Sequence, residues 1–263
     1  MSPAKEPHFY STDFPVSTPL SKNAYLDLFA PATSKHKAIG EASVWYLLSK
    51  YAVPSIHDED LNTKYIVMLR NPVEMASSLH WQTVFNGDED ILDFSKAWEL
   101  QEVRAAGAML PKHCRAPALV QYRSACSLGS QLQRLYQTVC RQRVRTLFLE
   151  DMARNPMAVW NQTLEFLQVP PFHEVDFVIK NPAKHWRFRS VQSLERSYRT
   201  LLKRLNIGRL GMGGMRFLKH FSIQQAHRPP DNSRKMLGDS FRQDITLLGE
   251  ITGRDLTNWL SVS

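Results

Sequence analysis

A permanent cation stands where an apolar run meets a helix start. In YIVMLRNPVEMASSLH (residues 65–80), five apolar or aromatic residues lead into Arg70, Asn71 and Pro72, and Ser78 follows the arginine by eight positions. A guanidinium carries a planar fork of N–H donors suited to phosphate oxygens. Asn71 is a good N-cap and Pro72 a good first-turn residue. The free N–H groups and positive dipole end of such a helix favour an anion. Ser78, about two turns on, adds a hydroxyl donor if the helix leans over the ligand. A plainer reading competes. Arg-Asn-Pro is also a common helix start, and Ser77 and Ser78 can be solvated or bonded back to carbonyls of the preceding turn.

For Arg70 to act on a ligand, a strand must present it. KYIVMLR (64–70) is a continuous apolar run, the pattern of a strand buried on both faces of a parallel sheet. RVRTLFLEDM (143–152) reads as a second such strand, with Leu-Phe-Leu between basic and acidic ends. Helical patterns fill 72–86, 93–106, 123–140, 156–169 and 232–252, and LSKNAYLDLFA (20–30) has helical spacing. KAIGEAS (37–43) reads as a short strand running into a loop, VWYLLSKY (44–51) as a helix start, and the glycine-dense IGRLGMGGMRFLKH (207–220) as a mobile loop. Strands alternating with helices predict an α/β fold with a parallel sheet flanked by helices, in one domain over 1–263. Ligands of such sheets sit beyond the carboxyl ends of the strands, where Arg70 is expected.

Composition narrows the partners. With 43% hydrophobic and 22% charged residues, the chain can bury a globular core. Its formal charge of +8 favours anionic partners: nucleotide, sulfated or carboxylated polymer, nucleic acid or membrane surface. No basic-aromatic recognition module is visible, which argues against nucleic acid. No apolar run approaches the roughly 20 residues that span a bilayer, and MSPAKEPHFYSTDF lacks the apolar stretch of a signal peptide. Cys114, Cys126 and Cys140 form no metal spacing. Either Cys114 and Cys126 pair, or the thiols are free and buried.

YIVMLRNPVEMASSLH resembles the 3′-phosphate-binding motif of sulfotransferases that use 3′-phosphoadenosine 5′-phosphosulfate (PAPS). That motif is an apolar strand, Arg-(Asn/Asp)-Pro, and a Ser eight residues after the Arg. Four more segments fall in the family's order. KEPHFY (5–10) resembles the Lys-Glu-Pro-His-Phe-Phe stretch of heparan-sulfate-type and bacterial carbohydrate sulfotransferases. GEASVWYL (40–47) is similar to their Gly-Glu-(Ala/Lys)-Ser/Thr-Pro-x-Tyr segment, and LFLEDMARNPMAVWNQTLEFLQVP (147–170) to their Glu-Asp-Leu…Asn-Pro…Phe-Leu-Gly-Val-Pro segment. ITGRDLTNWL (251–260) resembles their closing Gly-Arg-Asp-Leu-x-x-Trp-Leu. The resemblance implies a P-loop-like nucleotide-binding architecture, PAPS as co-substrate without a metal, and Arg70 and Ser78 on the nucleotide. It implies the cytoplasm in a bacterium and the Golgi in a eukaryote.

The resemblance also exposes departures. The family opens with a strand and a Gly-x-x-Lys-x-Gly-Thr-Thr loop for the 5′-phosphosulfate, and no such loop occurs here. KEPHFY starts at position 5 rather than tens of residues later, so the chain is expected to begin inside the domain. Either its start is incomplete, or it is a shortened, non-catalytic paralogue that binds an anion or nucleotide. The family's late Lys-Gly-x-Arg-like loop aligns with FSIQQAHRPP (221–230), which lacks both basic residues. Arg209, Arg216, Lys219 and Arg228 are substitutes, or else a solvated basic loop.

Sulfuryl transfer is in-line, so positioning and charge stabilisation dominate, and a base must take the acceptor proton. In glucosaminyl heparan sulfate sulfotransferases the Glu of the Lys-Glu-Pro-His motif is that base, with the His beside it. The resemblance carries these roles to Glu6 and His8. Pro7 is expected to hold Glu6 extended, and Phe9 and Tyr10 to form an apolar wall that raises its pKa. Otherwise Glu6 is a solvated carboxylate on a frayed terminus. The family's next acidic position is Ser11 here. Glu41 is a weaker acceptor-site candidate. Its neighbour is Ala42, where polysaccharide-modifying members often have Lys, so a generic hydroxyl or amine acceptor, carbohydrate or similar, is favoured over heparan. Glu150 and Asp151 are expected to bind backbone or basic neighbours at a strand end. Trp45, Trp81, Trp98 and Trp186 are expected mainly in the core rather than on sugar rings.

Overall fold

The apolar run before Arg70 forms strand β1, Tyr65–Leu69, and the run before Glu150 forms β2, Val144–Phe148. The two pair in parallel, from Tyr65 opposite Val144 to Leu69 opposite Phe148, so both carboxyl ends open on the same edge. The computed structural model describes residues 2–3, 5–14, 20–171, 175, 177, 184–186, 223–225 and 231–260. The helices, in chain order, are α1 Lys22–Asp27, α2 Ala52–Glu59, α3 Pro72–Asn86, α4 Phe94–Glu99, α5 Gln101–Ala105, α6 Tyr122–Cys126, α7 Leu128–Thr138, α8 Leu149–Arg154, α9 Pro156–Leu167 and α10 Asp231–Thr252. Strands β3 (Lys184–Trp186) and β4 (Ile223–Gln225) form a separate antiparallel pair.

The chain divides into two compact units. The first comprises Met1–Met75, Arg123–Val178 and Arg234–Ser263, and holds the parallel pair. Its core centres on Leu69, Leu132, Leu237 and Phe241, all fully buried. Helix α7 packs against α2, and α8 and α9 against β2. The Asp244 carboxylate, on α10, accepts from the Gly129 and Ser130 amides at the start of α7, each at 2.8 Å. The second unit comprises Ala76–Tyr122 and Ile179–Ser233. Its core mixes Ala76, Trp98, Leu119 and Tyr122 with buried His80, Glu89 and Arg104.

Several elements differ from the sequence expectation. Strand β1 is not buried on both faces among the described residues: Val67 and Leu69 are buried, whereas Ile66 is 43% and Met68 46% exposed. The patterned run 93–106 is two helices that meet at Leu100, and 123–140 is two that break at Ser127. There the Ser127 hydroxyl donates to the Arg123 carbonyl at 2.7 Å, a local bond that competes with the helix ladder. Residues 37–43 form no strand, and 44–48 form turns, with helix α2 starting only at Ala52. The Arg134 guanidinium gathers the carbonyls of Leu47, Leu48 and Ser49 and holds this turn from α7. Asp13 braces it further by accepting from the Ser49 hydroxyl and the Lys50 amide. Strand β2 stops at Phe148, so Glu150 and Asp151 lie in the first turn of α8, where acidic residues suit the helix dipole.

Candidate active site

Arg70 follows β1 directly, at the carboxyl edge of the parallel pair. Its Nε is buried and has no hydrogen-bond partner among the described residues. Asn71 caps the next helix as expected. Its side-chain oxygen accepts from the Val73 amide at 2.9 Å and its carbonyl from the Met75 amide at 2.9 Å. The acids after β2 are engaged elsewhere. Asp151 pairs with both terminal nitrogens of Arg254, one bond being 2.8 Å, and that guanidinium lies 4.1 Å over the Phe148 ring. The Arg254 bond holds the Asp151 carboxyl below its ordinary range. Two separated family-like segments, LFLEDM and ITGRDL, thus meet in an ion pair that ties the end of β2 to the turn after α10. Ser78 lies at the end of the second turn of α3, partly exposed and in the second unit.

Glu6 and His8 come together. His8 Nε2 lies 3.7 Å from Glu6 Oε2, with the imidazole 6% and the carboxylate 35% exposed. The nearby imidazole lowers the Glu6 pKa despite partial burial. Both expectations for Glu6 are therefore corrected. The carboxyl titrates low rather than high, because the imidazole is its dominant neighbour. Its backbone is left-handed (φ 52°) rather than extended, and His8 is left-handed too (φ 54°). Such conformations cost a non-glycine residue about 1–3 kcal/mol and persist only when surrounding contacts enforce them. The aromatic residues turn to one another: Phe9 stacks on Tyr25 at 4.3 Å, and Tyr10 packs edge-on to Tyr46 at 5.9 Å.

The enforcing contacts come from the segment 41–46. The His8 amide donates to Ser43 Oγ at 3.0 Å, and Ser43 donates to Glu41 Oε2 at 2.7 Å. Glu41 Oε1 accepts from the Tyr46 hydroxyl at 2.5 Å and the Tyr25 hydroxyl at 3.4 Å. Burial, followed by the Glu41 carboxylate, pushes both tyrosines upward, so they stay protonated donors. Tyr46 also accepts from the Tyr10 amide at 3.3 Å, and Tyr10 donates to Glu59, which pairs with Lys22. Sequence reasoning listed Glu41 but missed Ser43, Tyr25 and Tyr46. The one sequence signal for Ser43 and Tyr46 is their position inside GEASVWYL, whereas Tyr25 lies in the helical pattern of LSKNAYLDLFA.

The second unit hides another polar cluster that the sequence did not announce. Arg104 donates twice to Glu89, at 2.5 and 2.9 Å, and both side chains are fully buried. Tyr122 adds a 2.6 Å bond to the same carboxylate. Burial pushes the Glu89 carboxyl up, but its hydrogen bonds outweigh that and hold it below the ordinary range. His80 Nε2 lies 2.9 Å from the Ile91 carbonyl, and burial lowers its pKa. Trp98 is buried, as expected of a core tryptophan, and Trp45 stacks on Phe14 at 6.0 Å. The three thiols are free, with Cys126 buried and Cys140 exposed. Among the described residues no group of three or more His, Cys, Asp or Glu could hold a metal ion, and no helix is long and apolar enough to cross a membrane. Arg209, Arg216, Lys219 and Arg228 lie outside the described residues, as does 207–220.

Comparison with known proteins bears on these features. A sulfotransferase from Alicyclobacillus acidocaldarius has a similar solved structure, with a TM-score of 0.68 at 23% identity over 99% of this chain and 87% of that one. The sulfotransferase domain from the curacin biosynthetic pathway aligns with a TM-score of only 0.33, at 17% identity over 58% of this chain and 45% of that one. No curated protein matches. The first match shows a shared fold of parallel sheet and helices. The profile of the sulfotransferase domain matches residues 48–209, more than half of the chain and inclusive of Arg70 and Ser78. The chain therefore belongs to the sulfotransferase family of transferases.

Proposed function

We propose that this protein moves a sulfuryl group from PAPS to a hydroxyl or amine of a carbohydrate or similar acceptor. Glu6 is the base, His8 stands beside it, and Arg70 and Ser78 serve the donor nucleotide. The observation that carries the reading is the contact of Glu6 with His8, which keeps a partly exposed carboxylate ionised and turned towards an imidazole. An ionised carboxylate can take the acceptor proton as the new bond forms, and the imidazole orients it. Arg70 fits an anion because a buried Nε without a partner needs an acceptor to offset its desolvation. Ser78 rests on its place in the Arg-Asn-Pro motif alone. When bound, the donor supplies the sulfuryl group and the nucleotide that leaves. Ala42 is exposed and uncharged, which favours a generic acceptor over an anionic polysaccharide.

Two measurements test this. Adenosine 3′,5′-bisphosphate at 100 times its Kd raises stability by about 2.7 kcal/mol if it binds only the folded state. That shift should be seen in the parent and in Glu6→Gln, and should be lost at equal concentration in Arg70→Ala. Transfer of labelled sulfate to a glycan and amine panel should fall about 10²- to 10⁴-fold in Glu6→Gln. Unchanged nucleotide affinity in Arg70→Ala would remove Arg70 from the site. Nucleotide binding with no transfer to any acceptor would leave a binding protein on a sulfotransferase scaffold.

A further inference from the structure

We propose that Ser43 and Glu41 are positioning residues for the Glu6–His8 pair: Ser43, aimed by Glu41, holds the His8 amide in the left-handed conformation that sets the imidazole against the Glu6 carboxylate. The inference rests on the reading of Glu6 as base, and assigns to GEASVWYL a role the acceptor-site expectation did not contain.

The argument is one of hydrogen-bond direction. A part-buried amide outside any helix or strand needs a partner, and the His8 amide finds Ser43 Oγ at 3.0 Å. A serine hydroxyl has one proton and two lone pairs. The proton goes to Glu41 Oε2 at 2.7 Å, which leaves the lone pairs to face the His8 N–H. Glu41 cannot swing away, because its other oxygen accepts from Tyr46 and Tyr25. Tyr46 also receives the Tyr10 amide, so residues 8 and 10 are both anchored to the same segment. The His8 carbonyl is held as well, accepting from the Ser11 amide at 3.3 Å and the Ser11 hydroxyl at 3.2 Å. With both its peptide groups bonded, His8 has its Cα–Cβ direction fixed. Its Nδ1 is buried with no partner among the described residues, so Glu6 is the polar contact of the ring. Ser11 stands where the family's next acid would be, and here contributes to the backbone instead.

The test reads the Glu6–His8 contact separately from turnover. The Glu6 carboxyl is titrated by NMR in the parent and in His8→Ala, and the difference between the two midpoints measures the contact. Repeating both titrations in a Ser43→Ala background should shrink that difference to within error, while Ser43→Thr, which keeps the hydroxyl, should preserve it. With acceptor and PAPS, Ser43→Ala should lower kcat about 10- to 100-fold and leave the donor KM within about twofold, as expected for a misplaced base. An undiminished difference in Ser43→Ala, with kcat unchanged, overturns the proposal. If Ser43→Ala does not fold, Tyr46→Phe keeps the ring and removes one donor to Glu41. It should reduce the same difference in part, and no reduction overturns the proposal. Failure of the base reading looks different: Glu6→Gln would keep full turnover while the midpoint difference still depended on Ser43.

Discussion

At the scale of single residues, Glu6 feels opposed influences from His8, from burial and from Lys5. The nearby His8 imidazole lowers the Glu6 pKa most, partial burial raises it by less, and the Lys5 ammonium lowers it further. If Glu6 is the base, the acid limb of kcat should lie below the ordinary glutamate value of about 4.3. Removing the imidazole in His8→Ala deletes the largest lowering influence and leaves burial opposed by Lys5 alone, so the limb should move to higher pH. A kcat–pH profile of both proteins checks this, and a limb that stays put would show that another group titrates. The stability linkage has the same sign. A depressed folded pKa contributes stability above about pH 4.3 that is lost as pH falls through the lower folded value. None of this was legible from Glu-Pro-His as a string. The neighbours in sequence, Phe9 and Tyr10, predicted an apolar wall, whereas the fold turned them onto Tyr25 and Tyr46.

At the scale of elements, the parts that read well are those whose partners lie close in sequence. Strand β1, helix α3 with its Asn71 cap, α9 with Pro156 in its first turn, and α10 fall within a residue or two of expectation. Helix starts governed by distant groups did not. The start of α7 is satisfied by Asp244, more than a hundred residues away in sequence. Two substitutions there have definite outcomes. A Cβ at Gly129 would sit 2.3 Å from the Asp244 carbonyl oxygen, so Gly129→Ala must push α7 and α10 apart. It should destabilise by about 1–3 kcal/mol, as overpacking does. Asp244→Ala should lose about 0.5–2 kcal/mol, the usual worth of an N-cap. Urea denaturation of the two variants tests both, and a Gly129→Ala protein as stable as the parent would contradict the close approach of these helices.

At the scale of the whole molecule, each unit is held by its own polar arrangement. In the second unit Arg104→Met should be far worse than its modest change of size suggests, because it leaves Glu89 charged and fully buried. Removing one partner of such a pair costs about 3–5 kcal/mol. A chemical-denaturation midpoint within error of the parent would contradict this. Acid should act on the same unit in two stages. His80 has a lowered folded pKa, so its contribution is intact above about pH 6.5, the unfolded value, and is lost as pH falls below it. Glu89 is also depressed, so its share survives to about pH 4.3 and fades as pH falls through its folded value. Hydrogen exchange of residues 76–122 between pH 8 and 3 should show protection falling first below pH 6.5, and His80→Phe should abolish that first step.

By itself the sequence determined the family, the parallel strands and the helix that follows Arg70. These depend on local patterns: an apolar run, a cap, a proline and motif order. The tertiary structure alone decided that Glu6 would be ionised against His8 and left-handed, and that Ser43 and Glu41 would hold the histidine. It also decided that Asp151 would face Arg254 while the Arg70 Nε stayed unpartnered among the described residues. The physical reason is range. Backbone preference is set by neighbours a few residues away, whereas the charge state and orientation of a side chain depend on groups that only folding brings within hydrogen-bond distance.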